Sequence, residues 1–228
     1  MSNIIGLSST LKKQQLNLIN VTPQTETQHQ LFNSYKKHQN HVLMGPPGTG
    51  KTFLALFLAL KDLLEKNGFN QVVIFRSAAQ TRNIGFMPGD EKEKTDPFKA
   101  PYIGILSFLF KRNDAFTILE NSQAINLSLT SFVRGSTLDN TILIIDEFQN
   151  MTSHEAESVL TRAGEFSKVI VTGDFDQSDL GKNDISDFIN VLRNMNSFSF
   201  TGFKVEDIVR SGLVKEFIEA KINLKIKK

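Results

Sequence analysis

The sequence predicts an α/β fold in which a mostly parallel β-sheet is covered by helices on both faces. Three short β-branched runs carry this prediction: QVVIF (Gln71–Phe75), TILII (Thr141–Ile145) and KVIVT (Lys168–Thr172). They are continuously apolar rather than alternating, and helical or loop material separates them. That pattern is typical of parallel strands that are buried on both faces. A fourth strand, HVLM, precedes a Gly-rich loop and an apolar helix.

The other elements follow in chain order. Residues 1–24 are polar and are predicted to form a loosely ordered lead-in, after which TETQHQLFNSYKKH has the spacing of a short amphipathic helix. The segment FLALFLAL is apolar almost all round, so its helix must be buried. Residues 77–126 are the least regular and resemble an ordered insertion. FSFTGF could add one more strand, and residues 221–228 form a basic tail.

Composition excludes several classes of protein. The 228 residues suggest one domain. The 26 basic and 24 acidic side chains nearly cancel, so any surface that binds nucleic acid must be a local basic patch. The absence of cysteine excludes disulfides, Cys-ligated zinc, iron–sulfur clusters and thiol catalysis. No signal peptide is evident, and the longest apolar run falls far short of the roughly 20 residues of a membrane span. We therefore expect a cytoplasmic protein with no membrane partner.

The Gly-rich loop matches the GxxxxGK[ST] pattern in its required context, with a strand before it and a helix after it. Its glycines let backbone N–H groups turn toward phosphates, its lysine reaches the β- and γ-oxygens, and its threonine can ligate Mg²⁺. A chance Gly-rich turn is the alternative, and the flanking strand and helix argue against it. The predicted cofactors are ATP and Mg²⁺, held by Gly45, Pro46, Pro47, Gly48, Thr49, Gly50, Lys51 and Thr52.

A second motif, ILIIDEFQN, ends a buried strand in two adjacent carboxylates. Ligands of open α/β sheets bind at the carboxyl ends of the strands, where Asp146 and Glu147 would lie. Asp146 would hold Mg²⁺ through water, and Glu147 would polarise the attacking water. Taken alone, the pair could be solvated acids at a strand end. The loop motif makes the catalytic interpretation the better one.

The third motif is VTGDFDQSDL, in which Gln177 follows Asp174 by three residues. A neutral amide just past a strand end could contact the γ-phosphate and report its hydrolysis. By itself the segment is better explained as a polar turn, and the two earlier motifs reverse that preference. No NKxD-like base reader of a GTPase is present, and no arginine-rich lid of a small-molecule kinase can be located. The three motifs together favour a helicase-type ATPase.

Longer segments of the sequence indicate which family of ATPases it resembles. FRSAAQTRNIGFMPGDEKEKTDPFKAPY (Phe75–Tyr102), FVRGSTL (Phe132–Leu138), the block from DEFQN to QSDL, and VEDIVRSGLV each resemble a characteristic segment of the PhoH-like family. The resemblance runs from about Thr25 to Ala220, so residues 25–220 are expected to form one ATPase domain. Ser77 and Ser211 depart from the family pattern, and the acidic nuclease domain found in some members has no counterpart in these residues.

The resemblance implies a RecA-like core, a link to RNA metabolism and phosphate starvation, and assembly as a homo-oligomeric ring, expected to be hexameric. It also implies that Gln28, in TETQ, reads adenine. A single core has no second domain to supply an arginine finger, which in nucleotide hydrolases is worth about 10³–10⁵ in rate. Arg210 is the first candidate for a finger acting on a neighbouring subunit, and Arg162 is the second. Either could instead be a surface or ion-pairing arginine.

Three functional hypotheses remain open at this point. The leading one is a Mg²⁺-dependent ATPase that acts as a motor or remodeller on RNA or single-stranded nucleic acid. The second is a nucleotide-gated assembly protein that does not depend on turnover, and the third is an ATPase with a protein client. Glu147 weakens the second hypothesis, because a protein that only binds nucleotide has no need of a catalytic carboxylate.

Overall fold

The computed structural model describes residues 16–37, 39–65, 67–78, 91–133, 135, 137–174 and 184–226. Its helices are α1 (Glu26–Tyr35), α2 (Lys51–Leu64), α3 (Glu91–Phe110), α4 (Ala115–Asn121), α5 (Ser153–Leu160), α6 (Asp184–Arg193) and α7 (Gly212–Ile226). Its strands are β1 (Asn40–Met44), β2 (Gln71–Arg76), β3 (Ile125–Leu129), β4 (Thr141–Ile145), β5 (Lys168–Gly173) and β6 (Phe198–Gly202).

The six strands form one sheet in the order β3-β2-β4-β5-β1-β6, and every strand pair is parallel. The predicted α/β class with a parallel sheet is therefore confirmed, and FSFTGF does provide the edge strand β6. Strand β5 separates β1, which leads into the Gly-rich loop, from β4, which leads into the acidic pair. All six carboxyl ends meet at one edge of the sheet, and the loop and the acids lie there together.

Successive residues of the inner strands point to opposite faces, and each face has its own core. Leu43 belongs to the core beneath α1, α2, α3 and α4, whereas its neighbour Val42 belongs to the core beneath α5 and α6. Helix α2 is buried from Leu54 to Leu60, as its apolar sequence requires. Burial of each large apolar side chain stabilises the fold by about 1.5–3 kcal/mol.

Residues 91–126 are more regular than expected. Helix α3 runs for 20 residues and contains Pro97 and Pro101, and α4 and the edge strand β3 follow it. Proline removes a backbone donor and normally argues against a helix interior, which is why sequence periodicity missed α3. The apolar side of this helix compensates, since Tyr102 and Leu106 are fully buried in the core.

The two termini also differ from expectation in part. Residues 16–24 form neither helix nor strand, yet Leu16 is buried and the Ile19 N–H donates to the Leu109 carbonyl at 2.9 Å. The predicted basic tail is helical through Ile226, because α7 continues into it. None of the described helices is long and apolar enough to cross a lipid bilayer.

A buried charged cluster ties three elements together at the edge where the strands begin. Asp62 Oδ2, near the end of α2, accepts hydrogen bonds from Lys168 Nζ at 2.7 Å and from Tyr35 Oη at 2.9 Å. The Lys168 ammonium also lies 4.0 Å from the centroid of the Tyr35 ring. Burial, together with the Asp62 charge, raises the pKa of Tyr35 well above its usual value, so this phenol remains a donor.

Candidate functional site

The loop between β1 and α2 has the backbone of a phosphate cradle. Gly45, Gly48 and Gly50 have φ values of +145°, +84° and +87°, a region that side chains disfavour. Gly50 is the N-cap of α2 and supplies no side-chain cap. The first N–H groups of the helix are therefore left to a ligand, and the helix dipole favours an anion there.

Gly45 is required for a steric reason as well. A Cβ atom added there would lie 2.4 Å from the Phe203 carbonyl oxygen. That backbone is held in place, because the Phe203 N–H donates to the Met44 carbonyl at 2.7 Å. The loop thus packs directly against the segment that follows β6.

Replacing Gly45 with Ala is expected to destabilise the protein. The backbone conformation alone costs about 1–3 kcal/mol for a non-glycine residue, and the Phe203 segment must also shift. The midpoint of thermal unfolding measures the loss. Gly104→Ala is the matched control, because an added Cβ meets nothing within 4 Å and alanine is favoured in a helix by about 0.5–1 kcal/mol. Equal melting temperatures for G45A and wild type would contradict the prediction.

Lys51 opens α2 and points back into the loop. Its Nζ donates to the Gly45 and Pro46 carbonyl oxygens at 2.6 and 2.8 Å. Burial lowers the pKa of Lys51, while the charges of Asp174, Glu147 and Asp146 oppose that shift. The ammonium therefore sits inside the cradle among three carboxylates, where phosphate oxygens can replace the two carbonyls as its acceptors.

Asp146 lies at the centre of the site and is 2% exposed. Its Oδ1 accepts hydrogen bonds from Thr52 Oγ1 at 2.8 Å and from the Thr172 hydroxyl. Its Oδ2 accepts from Tyr102 Oη at 2.7 Å. Thr52 and Asp146, predicted from separate motifs as metal ligands, are thus in direct contact.

This donor set fits Mg²⁺, which prefers hydroxyl and carboxylate oxygens and retains several waters. A hydroxyl that gives its proton to a carboxylate keeps lone pairs for a cation. The N–H groups of the loop and the Lys51 ammonium are hydrogen-bond donors, and they fit the acceptor oxygens of a polyphosphate. The residues present therefore fit both groups implied by the loop.

Glu147 follows Asp146 in a left-handed backbone conformation, with φ +55° and ψ +46°. Such a conformation in a non-glycine residue is typical of functional sites. Burial, with the neighbouring Asp146 charge, raises the pKa of Glu147, and Arg76, Gln149 and Lys51 partly oppose the rise. A carboxylate with a raised pKa accepts a proton more readily, as a general base must.

Gln149 was not singled out from the sequence, although it lies within the quoted motif DEFQN. Its Nε2 donates to Glu147 Oε2, and its Oε1 accepts from the Asp174 N–H at 2.9 Å. The side chain is 3% exposed and touches Gly173, where a Cβ would lie 2.4 Å from Oε1. Gln149 therefore joins the candidate base on β4 to the end of β5.

Two further predicted residues flank the outer side of the loop. Gln28 is buried, and its Nε2 lies 4.0 Å from where a Cβ on Gly50 would stand. Arg210 is exposed, and its Cγ lies 3.0 Å from the corresponding position on Gly48. The Val209 N–H donates to the Gly48 carbonyl at 3.0 Å and holds this segment against the loop. Arg210 thus lies at the site of its own chain.

Another predicted residue, Arg162, does not join this group. Arg162 follows α5 at the opposite edge of the sheet, where its carbonyl accepts the Leu138 N–H at 2.8 Å. Its side chain is half-buried, and within the described ranges its Nε finds no hydrogen-bond partner. Gln177 lies outside the described residues.

The parallel sheet, the Gly-rich loop and the contact between Thr52 and Asp146 together define a P-loop NTPase fold. A family model described as PhoH-like protein matches residues 20–221, which is most of the chain. The chain therefore belongs to the PhoH-like family, as the resemblance of its segments predicted.

Curated relatives agree with this assignment. A PhoH-like protein of Synechocystis is 35% identical over 204 residues, covering 88% of this chain and 62% of the relative. A PhoH-like protein of Bacillus subtilis is 36% identical over 182 residues, covering 78% and 56%. Protein PhoH of Escherichia coli is 28% identical over 208 residues, covering 88% and 58%. The chain thus spans a little over half the length of these relatives.

Solved structures of more distant proteins also align. The Hef helicase domain of Pyrococcus furiosus matches with a TM-score of 0.47 and 15% identity, covering 78% of this chain and 39% of that one. The AAA domain of FIGL-1 in complex with ADP matches with a TM-score of 0.35 and 12% identity, covering 89% and 62%. The fold class itself rests on the parallel sheet and the loop described above.

Proposed function

We propose that this protein is a Mg²⁺-dependent ATPase whose active site is built around Lys51, Thr52, Asp146 and Glu147. The observation that carries the proposal is the direct contact between Thr52 and Asp146, 94 residues apart, at 2.8 Å and beside the loop lysine. Two independent motifs meet at one point and provide a phosphate cradle, an oxygen donor set for a divalent cation and a candidate base.

Each residue of the proposed site has its own role in phosphoryl transfer to water. The N–H groups at the start of α2 and the Lys51 ammonium bind the phosphates, and Thr52 and Asp146 hold the cation, which when bound supplies positive charge against the phosphate oxygens. Glu147 accepts the proton of the attacking water, and Gln149 holds its carboxylate in place. Gln28 is proposed to contact adenine and Gln177 to sense the γ-phosphate.

The last components of the proposed site are two arginines, Arg210 and Arg162. The position of Arg210 against Gly48 supports a role at the nucleotide of its own subunit. Arg162, on the opposite edge of the sheet, is then the better candidate for a finger that reaches a neighbouring subunit. We propose a homo-oligomeric ring, expected to be hexameric, in which the arginine of a neighbouring subunit completes each site.

The proposed substrate is RNA or single-stranded nucleic acid, on which the ring acts as a motor or remodeller. A protein client and a nucleotide-gated assembly without turnover are the alternatives. The presence of Glu147 beside Asp146 argues against the last, because a protein that only binds nucleotide has no need of a catalytic carboxylate. Cytoplasmic location and regulation by phosphate starvation belong to the same proposal.

Steady-state ATP hydrolysis with and without single-stranded RNA tests this function. We expect Mg²⁺-dependent turnover that RNA raises several-fold, and we expect Lys51→Ala to abolish it, because the phosphates lose the Lys51 ammonium. Lys61→Ala on the same helix is the control and should behave as wild type. Turnover indifferent to RNA would favour a protein client. Nucleotide binding without any turnover would favour the assembly protein.

A further inference from the structure

Tyr102, on α3, reaches the nucleotide site with its hydroxyl. It is fully buried, and its Oη donates to Asp146 Oδ2 at 2.7 Å. Neither the loop nor the acidic motif contains it; it is delivered by a helix from the segment between β2 and β3. The positive charge of Arg76, at the end of β2, also acts on the Tyr102 hydroxyl.

The two oxygens of Asp146 are held differently. Thr52 and Thr172 both donate to Oδ1, whereas Oδ2 accepts from Tyr102. The terminal torsion of an aspartate is broad, so donors on one oxygen alone leave the carboxylate plane free to turn. A donor on the second oxygen removes that freedom, and the buried ring of Tyr102 in turn locks its own hydroxyl in place.

We propose that Tyr102 is a positioning residue for the metal site, which holds the Asp146 carboxylate in the orientation that binds Mg²⁺ together with nucleotide. This inference rests on the proposed nucleotide-binding function and adds to it a residue outside the Gly-rich loop and the acidic strand end. Tyr102 touches neither metal nor phosphate in this role and acts through Asp146. Residues that orient a metal ligand through a hydrogen bond commonly contribute about 10–100-fold to metal affinity.

The test measures how strongly Mg²⁺ promotes the binding of a fluorescent ADP analogue, a readout that needs no turnover. Binding is titrated in EDTA and then against Mg²⁺ concentration for wild type and Tyr102→Phe. Because phenylalanine preserves the ring and removes only the hydroxyl, we expect binding in EDTA to change less than about twofold. The Mg²⁺ midpoint should rise about 10-fold or more.

Tyr35→Phe is the matched control. Tyr35 is also a buried tyrosine whose hydroxyl donates to a carboxylate, Asp62, at 2.9 Å, but it lies at the opposite edge of the sheet. A purely structural role for Tyr102 predicts that Y102F and Y35F lower the melting temperature alike and leave the Mg²⁺ midpoint unchanged. That result would overturn the proposal.

A second variant guards against a folding defect. Tyr102→Met fills much of the same apolar space without a hydroxyl and should raise the Mg²⁺ midpoint as Y102F does. Wild-type midpoints in whichever of the two variants folds would overturn the role of Tyr102 alone. If wild-type protein fails to bind the ADP analogue at any Mg²⁺ concentration, the proposed function falls together with this inference.

Discussion

Glu147→Gln should lower the rate of ATP hydrolysis by about 10²–10⁴-fold and leave ATP binding intact. Glutamine keeps the size of the side chain and its carbonyl can still accept from Gln149, but it cannot take a proton from water. Equilibrium binding of a fluorescent ATP analogue and steady-state turnover separate the two effects. Retention of wild-type turnover would show that Glu147 is not the base.

The same substitution should stabilise the nucleotide-free protein at neutral pH. Burial, followed by the charge of Asp146, raises the folded-state pKa of Glu147 above its unfolded value of about 4.3. Above the folded-state pKa, the ionised Glu147 carboxylate lowers the free energy of unfolding. This loss of stability disappears as the pH falls below the unfolded-state pKa. Removing the charge relieves the loss only at the higher pH.

We accordingly expect E147Q to melt above wild type at pH 7–8, by about 2–4 °C for each kcal/mol relieved, and to lose this advantage near pH 4. Glu157→Gln, at an exposed position on α5, is the control and should match wild type throughout. A gain that persists unchanged at pH 4 would contradict the electrostatic explanation.

Asp62→Ala should destabilise the fold by about 3–5 kcal/mol, because it leaves the ammonium of Lys168 buried without its carboxylate. The Asp62 and Lys168 side chains are 15% and 11% exposed, so water screens them weakly. Tyr35 loses its acceptor in the same substitution. The melting temperature should fall by roughly 6–20 °C at 2–4 °C per kcal/mol.

Two further variants show whether the loss comes from the unpaired charge. The double substitution Asp62→Leu with Lys168→Met removes both charges and should recover much of the stability, since apolar residues often replace a buried ion pair without loss. Asp114→Asn breaks an exposed pair with Arg112 and should melt close to wild type. A double variant as unstable as D62A would show that packing, and not the charge, accounts for the loss.

Sequence alone was sufficient for those parts of the site that are local in the chain. The loop from Gly45 to Thr52 is contiguous because one turn of backbone must wrap phosphates, and Asp146 and Glu147 are adjacent because a strand end places them together. The inner strands were predictable because burial on both faces leaves them continuously apolar. The family was predicted from the resemblance of several longer segments to those of PhoH-like proteins.

Local sequence patterns did not predict the elements that are stabilised by contacts with distant parts of the chain. Helix α3 carries two prolines that sequence periodicity reads as breaks, and the core beneath it compensates for the lost backbone donors. The edge strand β3 alternates apolar and polar residues, with Asn126 and Ser128 between its leucines and isoleucine, so it lacks the continuous apolar run that marked the inner strands. Pairing with β2, which no local signal specifies, makes it a strand.

The sequence by itself determined that this protein has a P-loop, an acidic strand end and a parallel sheet. Only the tertiary structure decided that β5 lies between β1 and β4, which brings the Thr172 hydroxyl to Asp146. It also placed Tyr102 on the same carboxylate and Arg210 against Gly48 of its own chain. The physical reason is that a buried carboxylate needs donors wherever the packing supplies them, and packing joins residues without regard to their separation in sequence.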